Sequence, residues 1–78
     1  MNKEVDKKSL NRIKEIRIIN DMSIKELAIA SGVEESTIYR IENGLRVPNQ
    51  VTMMRISKGL NTPLEQVFTL DWHDVKFV

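Results

Sequence analysis

Apolar and polar positions along this chain recur on a helical period for most of its length. Leu10, Ile13, Ile16, Arg17 and Asn20 follow intervals of three and four, making one face of a first helix at about 3.6 residues per turn. Asp21 and Met22 break that face. Ser23-Ile24-Lys25-Glu26 then reads as a capping box, with Ser23 as the cap and Glu26 reaching back to it. Leu27 and Ala28 point inward on a second helix, which Gly32 ends in the left-handed conformation. A third helix is predicted from about Glu35 to Asn43, closing at Gly44. Arg46-Val47-Pro48 is extended, because a residue before proline avoids the helical region. Asn49 caps a fourth helix with Met53, Ile56, Ser57 and Leu60 inward, and Gly59 within it predicts the close approach of a neighbouring helix. Thr62-Pro63-Leu64-Glu65 reads as a second capping box with proline at the first helical position. It opens a short fifth helix ending near Phe68.

The pattern therefore predicts an all-α fold, a compact five-helix domain over residues 9–68. A polar arm, residues 1–8, precedes it. The tail, residues 69–78, has a different character: TLDWHDVKFV alternates enough for a β-strand or hairpin, with His73-Asp74 as its turn. Trp72 and Phe77 favour burial, so the tail is expected either to supply part of a dimer interface or to fold back on its own domain. The helical wheel also sets Ile18 and Ile19 on the outer and flanking sides of the first helix, and Ile29 outward on the second. Two readings stay open for them: ordinary surface apolar residues, or a face covered by the tail, the arm or a partner subunit.

Seventy-eight residues make one domain, near the lower limit for a core without covalent staples. There is no cysteine, which excludes disulfides and thiolate metal sites and fits a reducing cytoplasm. No apolar run approaches the ~20 residues of a membrane span. MNKEVDKKS has no apolar stretch of a signal peptide, so a soluble cytoplasmic protein is expected. His73 has neither a cysteine nor a second histidine with which to share a metal, and Asp71 and Asp74 fit a polar turn better than paired catalytic carboxylates. Without a glycine-rich phosphate loop or a nucleophile-base pairing, no enzyme activity, cofactor or small-molecule ligand is expected. The 12 Lys+Arg against 11 Asp+Glu leave a net charge of +1, so any binding to nucleic acid must rest on where the charges lie.

The segment from Ser23 to Pro48 holds the candidate chemistry: two short helices around a tight turn at Gly32, the layout of a helix-turn-helix. With Ile38 as origin and about 100° per residue, Ile38 and Ile41 face inward. Ser36, Tyr39, Arg40 and Asn43 face outward, with Glu35 on the margin. Those side chains carry the donors and acceptors that read base edges. The planar fork of Arg40 matches guanine O6 and N7, Ser36 suits several bases, and Tyr39 suits a thymine methyl or a phosphate. The wheel alone is equally satisfied by a solvated face.

From Arg12 to Phe68 the chain resembles the Cro and lambda-repressor-like family of helix-turn-helix domains. The resemblance is carried by Arg12-Ile13-Lys14-Glu15-Ile16-Arg17, Ser23, Glu26-Leu27-Ala28, and GV-x-x-STI-x-RIENG-x-R-x-P from Gly32 to Pro48. Pro63-Leu64-Glu65-Gln66-Val67-Phe68 completes it. It implies a sequence-specific DNA-binding regulator, a repressor acting as a homodimer on a two-fold operator in double-stranded DNA, with the third helix in the major groove. It further implies base contacts from Glu35, Ser36, Tyr39 and Arg40, phosphate contacts from Asn43, Arg46 and Lys25, and a structural ion pair between Arg17 and Glu42. The wheels agree with the last, setting Arg17 and Glu42 on the inward faces of their helices. The chain departs from the family at Ile24, where many members carry a DNA-contacting glutamine, and at Glu34 and Glu35, where uncharged residues are common. Carboxylates suit a helix N-terminus, and a glutamate can accept from cytosine N4, but near phosphate they repel. The departures support an alternative: a protein-interaction module of the same fold with weak or partner-dependent DNA binding.

Overall fold

The computed structural model describes residues 11–68, and within them the chain forms α1 (Ile13–Ile19), α2 (Ile24–Ser31), α3 (Glu35–Glu42), α4 (Gln50–Gly59) and α5 (Leu64–Val67). The arm 1–8 and the tail 69–78, with the strand or hairpin expected there, lie outside the described residues, as does Leu10. Every helix contributes to one core. Ile13, Leu27, Ile38, Ile41, Ile56, Leu60, Val67 and Phe68 are buried, and Ile16, Met22, Ile24, Ala28, Val33, Met53 and Leu64 pack against them. None of these helices is long enough to be stable alone, so the shared core holds them.

Where each helix starts and stops follows from local chemistry. Ser23 accepts from the Glu26 amide at 3.0 Å while Glu26 accepts from the Ser23 amide at 2.8 Å, the expected capping box. Asn49 caps α4 by accepting from the Thr52 amide at 2.8 Å. Gly32 ends α2 at φ 73° with its amide on the Ala28 carbonyl. The ends of α1, α3 and α4 share another device. Met22, Leu45 and Thr62 donate back to Arg17, Arg40 and Ser57, while Asp21, Gly44 and Asn61 donate to Ile18, Ile41 and Lys58. These are Schellman ends with a left-handed residue at the turn: Asp21 at φ 58°, Gly44 at 71°, Asn61 at 54°.

Two expectations need correction. Asn20 is exposed and forms the C-terminal cap of α1, so it does not share the inward face. The second capping box does not form. Thr62 is occupied in closing α4, its hydroxyl donates to the Leu60 carbonyl at 3.0 Å, and Pro63 at ψ 144° is the extended residue ahead of α5. Gly59, by contrast, sits where the sequence predicts a close approach. A Cβ there would lie 2.9 Å from Ser31 Cβ and 3.1 Å from Leu27 Cδ1, so α4 meets α2 at near-backbone separation.

Candidate nucleic-acid interface

α3 divides its side chains as an outward-reading helix requires. Ile38 and Ile41 are buried with Glu42, whereas Glu35, Ser36, Tyr39 and Arg40 are exposed, Tyr39 to 54%. Ser36, Tyr39 and Arg40 are three and four apart and so share one face. Glu34 and Glu35 stand at the N-terminus of α3, where the helix dipole favours negative charge. Lys25 is exposed in the first turn of α2, and Arg46 is exposed in the linker after α3. Among the described residues neither Arg40 nor Arg46 joins an ion pair, and both are exposed. Asn43 is half-buried and its side-chain amide donates to the Tyr39 carbonyl at 2.8 Å, closing the helix end. Ile24, the departure from the family's glutamine, packs against the core.

α3 is held from behind. The Arg17 guanidinium meets the Glu42 carboxylate as a fork, Nε to Oε2 at 2.7 Å and Nη2 to Oε1 at 3.3 Å, and Nη1 donates to the Met22 carbonyl at 2.9 Å. The side chains are 12% and 3% exposed, so this expected pair is desolvated and gains from bidentate geometry. One further tie escaped the sequence. Asn11 accepts from the Ile13 amide at 3.2 Å and donates to the Ile41 carbonyl at 3.0 Å, linking the entry of α1 to the last turn of α3.

Exposed apolar residues form the remaining features. Leu45, Val47, Val51 and Met54, exposed between 55% and 79%, follow α3 along the linker and the outer side of α4. The sequence carried a signal for two of them: the wheel that turns Ile56 and Leu60 inward leaves Val51 and Met54 outward. Ile18, Ile19 and Ile29 are exposed as expected, and Ile18 borders a shallow groove with Asp21, Met22, Ser23 and Glu26. Among the described residues there is no cluster of metal-ligating side chains and no helix long and apolar enough to cross a membrane.

Comparison with known proteins yields one consistent group. The helix-turn-helix family model matches residues 13–67. The chain is similar to three uncharacterized HTH-type transcriptional regulators of Bacillus subtilis (strain 168). RghRB is 30% identical over 80% of this chain, and the match spans 45% of that relative's own length. YvzC is 34% identical over 70% of this chain and 71% of its own. YgzD is 33% identical over 78% of this chain and 92% of its own. Among solved structures, the restriction-modification controller protein C.AhdI from Aeromonas hydrophila superposes with a TM-score of 0.74 at 26% identity, over 80% of this chain and 94% of that one.

Proposed function

Because the chain belongs to the helix-turn-helix family of the Cro and lambda-repressor type, a family of DNA-binding transcriptional regulators, we propose that it is a sequence-specific repressor that docks α3 in the major groove as a homodimer on a two-fold operator. The observation that carries this reading is the division of α3, with Ser36, Tyr39 and Arg40 on the face opposite Ile38 and Ile41. In this reading Glu35, Ser36, Tyr39 and Arg40 meet base edges, and Lys25, Asn43 and Arg46 meet phosphate on either side. The homodimer is supported by Leu45, Val47, Val51 and Met54, an apolar stretch that flanks Arg46 and adjoins the end of α3. Two subunits meeting there would set their α3 helices beside a common dyad, as half-sites about one helical turn apart require.

Selection from random duplex DNA tests the proposal. A symmetric site should emerge, and Arg40→Ala should weaken it by about 1–3 kcal/mol while relaxing preference at one position in each half. Specific binding unchanged by Arg40→Ala would refute the assignment of the reader. The exposed Glu34 and Glu35, with the net charge of +1, favour one competing reading, a protein-interaction module. No enriched DNA sequence, together with stable capture of a purified protein partner, would favour that module.

A further inference from the structure

The three last-turn carbonyls of α3 that carry its exit are all occupied. Tyr39 accepts from Asn43 Nδ2 at 2.8 Å, Arg40 from the Leu45 amide at 2.7 Å, and Ile41 from the Gly44 amide at 3.1 Å and Asn11 Nδ2 at 3.0 Å. Asn43, Gly44 and Leu45 belong to the exit of α3 itself and move with it. Asn11 does not, because it stands 30 residues away and is anchored through its own Oδ1 on the Ile13 amide at the start of α1. One residue later, Glu42 is gripped by Arg17 from the same α1. Arg17 holds a side chain, which can swing about its torsions, whereas Asn11 holds the backbone. Two neighbouring points on α3, one of them main chain, therefore tie its last turn to α1.

Resting on the DNA-reading role of α3, we infer that Asn11 is a positioning residue for recognition: it sets the angle at which α3 presents Tyr39 and Arg40, and so governs discrimination between sequences. Asn11 makes no contact with DNA in this role. Phosphate contacts from Lys25 and Arg46 set where the domain sits, and the tilt of α3 sets which base edges its side chains reach. Sites of this kind need their reading groups within roughly 0.5 Å and 10–20° of the productive geometry. A neutral hydrogen bond nets a factor of about 2–12 in an equilibrium, which is the size of effect expected here.

Asn11→Ser keeps an oxygen for the Ile13 amide and loses the reach to Ile41. Asn11→Asp keeps the oxygen and loses the amide donor, and serves as the second variant if the first folds poorly. The probes are a duplex that the wild-type chain selects from random DNA and a scrambled duplex of the same composition. The ratio of the two affinities should fall by about 2–12-fold while the slope of binding against salt stays unchanged, since no phosphate contact is lost. In the free proteins, residual dipolar couplings of the α3 amides should report a reorientation against α2 and α4. An unchanged ratio, including one in which both affinities fall together with the folded fraction, or wild-type couplings in α3 would overturn the inference. If the wild-type chain selects no duplex, the repressor reading fails, and the couplings alone then decide the role of Asn11.

Discussion

Glu42 has a side chain 3% exposed, with both carboxylate oxygens on Arg17. Removing one member of such a pair strands the other charge without water. Glu42→Ala should therefore cost about 3–5 kcal/mol, most of the margin of a domain this small. Arg17→Met combined with Glu42→Leu should recover much of that loss, because two apolar side chains of similar volume need no counter-charge. Urea denaturation of the single and double variants checks this, and a double variant no better than Glu42→Ala would contradict it. Both residues were legible as inward-facing charges on their wheels, but their pairing came from the family resemblance. Asn11 was not legible at all. Its partner is a backbone carbonyl 30 residues away, and every residue has a carbonyl, so no residue type marks the acceptor. Ser31 and Ser57 carry the opposite lesson: both hydroxyls are buried without a hydrogen-bond partner among the described residues, which a sequence pattern that merely sets Ser57 inward does not reveal.

At the scale of the elements, two glycines illustrate different constraints. Gly32 has φ 73° and open space where a Cβ would go, so Gly32→Ala should cost only the left-handed backbone, about 1–2 kcal/mol. Gly59 has no such φ, but a Cβ added there would lie 2.9 Å from Ser31 Cβ and 3.1 Å from Ser31 Cα. Alanine there would gain about 1 kcal/mol of helix propensity and lose more, about 1–3 kcal/mol, by forcing α4 from α2. Neither Ser31 atom can rotate away. Asparagine at both positions separates the mechanisms: it should be tolerated at 32, where it adopts left-handed geometry, and severe at 59, as thermal unfolding will report. Helix starts were legible wherever a side-chain cap marks them, as at Ser23 and Asn49. The closing turns were legible at Gly32 and Gly44, where glycine supplies them. Asp21 and Asn61 perform the same turn without announcing it, since both residue types also occur in caps and loops. The Thr62 box failed for a related reason. A residue spent on finishing α4 cannot also begin α5, and the pattern of types alone does not say which helix owns it.

For the molecule as a whole, the five-helix architecture followed from period and punctuation, whereas the surface proposed above for pairing two copies did not. The expected contact at 69–78 lies outside the described residues, and the apolar stretch from Leu45 to Met54 now offers another. Met54 is 55% exposed, so Met54→Glu should leave the fold intact while setting like charges against each other across a dyad. Sedimentation should then report a monomer, and affinity for a two-fold site should drop by about 100-fold or more as the second reading head is lost. A dimer that survives would move the interface elsewhere. The Arg12 amide lies 2.7 Å from the Val67 carbonyl, so the two ends of the five-helix unit meet side by side. Neighbouring ends make a fold portable. A short connector from Phe68 to Asn11 and a new opening in an exposed turn should therefore yield a circular permutant that still folds. A relative in which the matched stretch is 45% of the length fits that modular economy.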